Sequence, residues 1–225
     1  ATSEGYIYLK HTPNLLALEA TITQILHDQF HACVPEVIAH NEKLNCFLMK
    51  DAGTPLRDIL KKQFDTRLLC KAIYQFTSLQ LAVADHASIF LNIGVPDWRL
   101  DKLPDLYQHL LAQKDLLKAD GLTDIEINAL EKLMPKLCNL CKELSDYAIP
   151  ETIVQCDFHD NNLVVDTLSQ NITLIDLGEI VISHPFFSWI GCLQQIKFHY
   201  ALTEKDDAYL QLKNACFKNH TTLQS

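Results

Sequence analysis

Glycine is scarce in this chain: there are six in 225 residues, each isolated from the others. No G-x-G-x-x-G, G-x-x-x-x-G-K-[ST] or G-x-S-x-G pattern exists. This removes the dinucleotide fingerprint, the Walker loop and the nucleophile elbow of hydrolases. Positive charge is in deficit as well, with 19 Lys and Arg against 28 Asp and Glu and a net charge of −9. Such a balance leaves no electrostatic footprint for nucleic acid or an anionic membrane; it would favour a cationic small substrate, although solubility alone accounts for it more simply. No apolar run approaches the roughly 18 residues needed to span a bilayer. The N-terminus lacks the charged-then-apolar pattern of a secretory signal, so the chain reads as cytoplasmic. Cysteine is not scarce, but eight thiols without close paired spacing throughout fit reduced side chains better than a disulfide framework. Internal repeats and low-complexity segments are missing.

What is there suits a globular protein of one domain or two small lobes: 48% hydrophobic and 21% charged residues are ordinary proportions for that class. The stretch that organises the rest is 152–185. It holds Asp157 and Asn162, a short β-type run (163–165), a polar turn (166–170), a second β-type run (172–175), and Asp176 in an Asp-Leu-Gly triplet. A tight connection between two apolar strands puts both carboxylates and the amide at one end of a hairpin. Three oxygen ligands there suit Mg²⁺, a hard cation that takes one or two carboxylates, an amide or water, and phosphate oxygens. Each of these residues taken alone equally suits a turn or cap; the joint spacing is what points to a site.

D-x-x-x-x-N followed about fourteen residues later by D-x-G resembles the catalytic loop and metal-binding triplet of the protein-kinase-like superfamily. The wording CDFHDNNLVVD…ITLIDLGEIVISHPFF is closer to its aminoglycoside phosphotransferase and choline kinase branch. That branch usually reads H-G-D-x-H-x-x-N; here Gln155 and Cys156 stand at the first two positions, and Ser188 stands where an Asp usually follows the two aromatics. The resemblance implies an α+β, two-lobed kinase-like fold with a small, partly β N-lobe and a mainly helical C-lobe carrying the catalytic hairpin. Asp157 would be the catalytic base, Asn162 and Asp176 would hold Mg²⁺, and ATP or GTP would lie between the lobes.

The N-terminal part supplies counterparts. Residues 5–10 read as a strand ending in Lys10, and Pro13 and Asn14 open an amphipathic helix with Leu15, Leu18, Ile22, Ile25 and Leu26 on one face. By resemblance Lys10 holds nucleotide phosphates and Glu19 orients it. Two β-type runs, 34–40 and 44–50, are joined at 41–43; the resemblance implies that the second leads into a hinge that binds adenine through backbone groups near Met49. Residues 51–55 read as a linker, so the nucleotide-binding lobe is placed at 1–52 and the helical lobe at 53–225. The family normally has two strands and a phosphate-covering loop ahead of the lysine strand, and further helices at the C-terminus. The expectation is therefore a truncated N-lobe, in a fragment or in a chain that omits parts.

The remaining segments read as helices: 65–91 capped by Asp65, about 102–118, 123–147 opened by a Thr123/Glu126 capping box, a helix from Pro185 through Phe198, and a last one over 203–218. Residues 92–99 break the pattern. Asp157-Phe158-His159 also matches the start of a two-metal phosphoesterase, but the His-rich clusters that would bridge two ions do not follow. His159 reads as a loop residue near the metal site or the substrate. Cys138 and Cys141 read as core thiols on one helix face, and His27 and His31 as surface or helix-end residues without a third ligand. The function implied is Mg²⁺-dependent transfer of a γ-phosphoryl group to a hydroxyl of a small molecule: an aminoglycoside, a choline-like amine or a sugar. The alternative is a nucleotide-binding pseudokinase or regulatory module without transfer, motivated by Gln155, Cys156, Ser188 and the missing loop.

Overall fold

The computed structural model describes residues 6–166 and 169–221; Gly5 and part of the 166–170 turn lie outside them. Strand β1 (Ile7–His11) leads through a single 3-10 turn at Asn14–Leu16 into helix α1 (Glu19–Phe30), followed by β2 (Val37–Asn41) and β3 (Cys46–Lys50). These strands form one antiparallel sheet in the order β1-β3-β2, with Lys10 opposite Phe47 and Tyr8 opposite Met49. The sheet is thin, and its outer strands are mostly exposed. Helix α1 closes it with Ile22 and Leu26, whereas Leu15, expected on the same face, is 96% exposed because the 3-10 turn displaces it. The β2–β3 connection is longer than a tight hairpin: the Asn41 side chain accepts from the Leu44 N–H, and Asn45 takes a left-handed conformation.

The chain then passes through β4 (Thr54–Pro55) into α2 (Leu56–Leu60), α3 (Thr66–Ala84) and α4 (Ala87–Asn92). Asp65 caps α3 by accepting from the Arg67 N–H. The single helix expected over 65–91 is interrupted at Asp85 and His86, where the His86 ring packs edge-on against Phe30. Helices α5 (Leu103–Ala112), α6 (Lys114–Ala119), α7 (Asp124–Glu131) and α8 (Met134–Ser145) form a helical region around a small core of Leu111, Leu117 and Ile127. Here too two expected helices are four. Gln113, with ψ near 53°, turns the chain between α5 and α6. Pro135 separates α7 from α8, because its ring would clash with the carbonyl four residues back, at Glu131, where α7 stops. The Thr123/Glu126 capping box opens α7.

The last third carries β5 (Thr152–Gln155), β6 (Leu163–Val165), β7 (Ile172–Leu174), β8 (Ile180–Ser183), α9 (Phe187–His199) and α10 (Asp207–Thr221). Strands β6 and β7 pair as the expected hairpin, with β4 on the outer side of β6, and β5 pairs with β8. Every residue of β5, β6 and β8 is buried. This accounts for their Val/Ile/Leu-rich centres, since both faces are covered; the polar Thr152, Gln155 and Ser183 fall at strand ends. The irregular 92–99 segment adds to β8: the Ile182 N–H donates to the Pro96 carbonyl, and the Trp98 N–H to that of Ile182. One main core runs from α1 through α3, the four C-terminal strands, α9 and α10. At its centre the rings of Phe76, Phe158 and Trp189 pack 5.0–5.9 Å apart. Phe158 directly follows Asp157, so the core reaches the candidate loop itself.

Candidate functional site

Lys10 leaves β1 with its ammonium between two carboxylates, 2.7 Å from Glu19 Oε1 and 2.6 Å from Asp176 Oδ1. Glu19 is the first residue of α1 and only 3% exposed; its Oε1 also accepts the Leu177 N–H at 3.2 Å. Its Oε2 is buried without a hydrogen-bond partner among the described residues. Burial raises the Glu19 carboxyl above its ordinary value despite Lys10, with Asp176 adding like charge. Burial would lower the Lys10 ammonium, but hydrogen bonds to Asp176 and Glu19 outweigh it, and its affinity for the proton is raised. Both shifts are consistent: one ammonium serves two carboxylates, while Glu19 has one ammonium.

Asp176 follows the end of β7 in a left-handed conformation, φ 62°, which Asp and Asn tolerate better than most residues. Gln155, fully buried at the end of β5, donates from Nε2 to the Asp176 carbonyl. A side chain at the first position of the loop thus fixes the backbone of the triplet, a support role that the H-G-D wording associates with histidine. Gly178 lets this turn close on the start of α1: a Cβ there would stand 3.0 Å from Leu16 Cβ.

The loop between β5 and β6 carries Asp157, with its side chain about half exposed. Asn162 Nδ2 donates to the Asp157 backbone carbonyl at 2.9 Å and to its Oδ2 at 3.0 Å, leaving the amide oxygen for another partner. His159 Nε2 lies 3.2 Å from Asp157 Oδ1, and Nδ1 of the same ring accepts the Asn161 N–H. A ring nitrogen that accepts carries no proton, so the hydrogen is assigned to Nε2, facing Asp157. The Ile175 N–H donates to the Asn162 carbonyl; with Leu163 opposite Leu174, the ladder brings Asn162 to the residue beside Asp176. Ser188 is buried against Gln80, whose Nε2 also reaches the Ile153 and Pro185 carbonyls.

Asp160 carried no expectation from the sequence. It is 1% exposed, accepts from Arg57 Nε at 3.0 Å and Nη2 at 2.8 Å through Oδ1, and is hydrogen-bonded through Oδ2 to the Tyr200 hydroxyl. Burial alone would raise its carboxyl; the bonds from Arg57 and Tyr200 hold it below the usual range. Its partners lie 103 and 40 residues away in sequence. No local signal marked it: Asp160 stands in the polar run Asp157-Phe-His-Asp-Asn-Asn162 and reads as another turn residue.

A cavity of about 220 Å³ is lined by Lys10, Glu19, Phe47, Met49 and Asp176, bringing Met49 to the same space as the ion pairs. A larger one, about 680 Å³, lies behind the loop between α3, the β6–β7 hairpin and the end of α1, and none of the sequence-predicted site residues lines it. The smaller cavity brings together Lys10, Glu19, Met49 and Asp176, whereas Asp157 and Asn162 line neither cavity. Among the described residues no group of three or more His, Cys, Asp or Glu side chains is arranged to hold a metal ion. A cation here would need the Asn162 amide, Asp176 and ligand oxygens together, which suits a hard divalent ion held partly by phosphate. The Cys138 thiol is exposed and only Cys141 is buried, correcting the expectation that both are core. His27 bonds Asp28, and His31 ends α1 in a left-handed conformation. No helix of the described residues is long and apolar enough to cross a membrane.

Comparison with known proteins places this geometry. A family model described as the phosphotransferase enzyme family matches residues 7–209. No curated protein matches by sequence. Among solved structures, the aminoglycoside phosphotransferase APH(3'')-Id of Streptomyces rimosus, in complex with ADP and streptomycin, is 14% identical. It aligns over 97% of this chain and 81% of its own, with a TM-score of 0.57. A choline/ethanolamine kinase family protein of Mesorhizobium loti aligns at 14% identity over 95% of this chain and 64% of its own, with a TM-score of 0.58. An ethanolamine kinase of Plasmodium vivax aligns at 14% identity over 96% and 63%, with a TM-score of 0.57. This chain thus spans less than two thirds of the length of the last two. The fold is that of the protein-kinase-like small-molecule kinases, and the chain belongs to the phosphotransferase enzyme family.

Proposed function

We propose that this chain is a Mg²⁺-dependent phosphotransferase that moves the γ-phosphoryl group of ATP or GTP to a hydroxyl of a small, cationic acceptor. The observation that carries the reading is the Lys10 ammonium, bonded to both Glu19 and Asp176 beside a cavity that includes Met49. Phosphoryl transfer passes through a loose transition state, so the protein contributes mainly position and charge. Asp157, with one oxygen facing His159 Nε2 and the other bonded by Asn162, orients the acceptor hydroxyl and takes its proton. Lys10 leaves Asp176 to neutralise phosphate oxygens and is kept in place by Glu19. Asn162, through Oδ1, and Asp176 would hold Mg²⁺, which would supply charge neutralisation at the transferred phosphate.

The lobe boundary is proposed at residues 52 and 53. Gly53, at φ 127°, passes so close to β6 that a Cβ would lie 2.3 Å from the Val165 carbonyl oxygen, which fixes the linker against the catalytic hairpin. The net charge of −9 and the streptomycin complex of one structural neighbour favour an aminoglycoside or choline-like acceptor over a neutral sugar.

Thermal unfolding with ATP and with GTP, each with and without Mg²⁺, tests the reading. A ligand bound only to the folded state at a hundred times its Kd adds about 2.7 kcal/mol. The expected result is a Mg²⁺-dependent shift with one of the two nucleotides that disappears in Asp176→Ala, followed by turnover in an acceptor screen. No shift with either nucleotide would overturn the proposal. A shift without turnover on a broad panel of amines and sugars would favour a nucleotide-binding regulatory module.

A further inference from the structure

One carboxylate of the loop has no part in the transfer described above. Asp160 sits three residues after Asp157 and two before Asn162, at the start of a single 3-10 turn, Asp160–Asn162. The turn has one backbone hydrogen bond of its own, from the Asn162 N–H to the His159 carbonyl. Three-residue turns of this kind have poor hydrogen-bond geometry and take their orientation from their surroundings. Both side chains that reach the Asp157 carboxylate come from its edges: His159, with Nε2 3.2 Å from Oδ1, precedes it, and Asn162, which donates to Oδ2, ends it. A rotation of the turn would therefore move both contacts together.

We propose that Asp160, clamped by Arg57 and Tyr200, is a positioning residue that sets the aim of Asp157 and Asn162; the inference rests on the phosphotransferase reading. The clamp joins three parts of the chain. Arg57 lies on α2 immediately after the 51–55 linker, Asp160 is in the loop, and Tyr200 ends α9. Both carboxylate oxygens are occupied, Oδ1 by two guanidinium N–H groups and Oδ2 by the phenol. Asp160 is thus fixed in rotation and kept from competing with Asp176 for a cation. The Phe64 ring packs against Tyr200 at 4.7 Å and holds the phenol in place.

A purely structural role for the clamp predicts something different. Buried ionic groups can often be replaced together by apolar side chains without loss of stability. The decisive variant is therefore the full-length triple substitution Arg57→Met/Asp160→Leu/Tyr200→Phe, which leaves no orphaned polar member; Tyr200→Phe alone is the milder second variant. Three quantities are measured: thermal unfolding, Mn²⁺ binding in the presence of ADP by electron paramagnetic resonance, and the kcat and KM of Mg²⁺-ATP hydrolysis with water as acceptor.

In the triple variant kcat falls by roughly 10–100-fold, the scale of a misplacement of about 1 Å. The KM for ATP stays within about twofold because Lys10 and Glu19 are untouched, and the unfolding temperature stays close to wild type. Tyr200→Phe gives a smaller loss of the same kind. An unchanged kcat in a folded triple variant overturns the inference, as does a kcat that falls only in proportion to the folded fraction. If the triple variant does not fold, the kcat and KM split in Tyr200→Phe decides by the same rule. Wild-type protein that binds neither Mn²⁺-ADP nor Mg²⁺-ATP overturns the phosphotransferase reading first, and the positioning role falls with it.

Discussion

Glu19 and Asp160 are both almost wholly buried, and each is paired with a cation, yet their carboxyl groups shift in opposite directions. Burial pushes both up. At Asp160 three donors on two oxygens reverse that push; at Glu19 one oxygen takes Lys10 and the Leu177 N–H while the other has no partner among the described residues. An unsatisfied buried oxygen costs about 1–3 kcal/mol, so such groups persist where something else requires them. The Asp160 joint is complete in the protein alone. The Glu19 joint lines a cavity and shares its ammonium with Asp176, which is the state expected of a site that a ligand finishes.

The comparison can be broken most decisively at the residue the Asp160 joint is proposed to aim. Asp157→Ala removes the proposed base and should lower turnover by roughly 10²–10⁴-fold, with unfolding little changed because the side chain is half exposed. Unaltered kcat would remove Asp157 from the chemistry. Next comes stability. Asp160→Ala strands Arg57 and should cost about 3–5 kcal/mol, the usual consequence of breaking a buried pair from one side. Glu19→Ala leaves Lys10 bonded to Asp176 but strands the Leu177 N–H and should cost about 1–3 kcal/mol, while nucleotide affinity drops. Equal costs in urea unfolding would erase the distinction between a finished joint and an open one.

Much of the open joint was legible in the sequence, chiefly through the family resemblance, because its parts sit in local patterns: Lys10 ending an alternating run, Glu19 on the helix that follows, and Asp176 after a β-type run. The finished joint was not. Arg57, Asp160 and Tyr200 are brought together only by tertiary packing, and Asp160 alone reads as another turn residue. Gln155 was noted as a departure at the start of the loop, but its bond to the Asp176 carbonyl depends on a left-handed backbone that no local pattern announces. Helix ends failed for a related reason. Apolar periodicity continues across 85–86, 113 and 132–133, so only the proline at 135 carried a readable break.

A smaller effect sharpens the comparison with a joint outside the site. The Thr123/Glu126 capping box belongs to the α5–α8 region and touches none of the candidate residues. Thr123→Ala should cost about 1 kcal/mol of stability, with the kcat and KM for Mg²⁺-ATP unchanged. A change in either would show that this helical region bears on the candidate loop.

The smallest expected effect is a pair of opposite slopes with pH. Asp160 has a lowered carboxyl, so its contribution is present above the ordinary aspartate range and is lost as pH falls through the folded-state value. The stability of wild type relative to Asp160→Asn should therefore grow as pH rises through that window. Glu19 has a raised carboxyl, so its contribution is present below the ordinary glutamate range and is lost as pH rises through the folded-state value. The stability of wild type relative to Glu19→Gln should shrink over the same rise. Urea unfolding of the three chains from about pH 3 to about pH 7 brackets both carboxylate windows. Parallel slopes would mean that the unpartnered oxygen of Glu19 is satisfied in solution, and the site would then be closed before any ligand arrives.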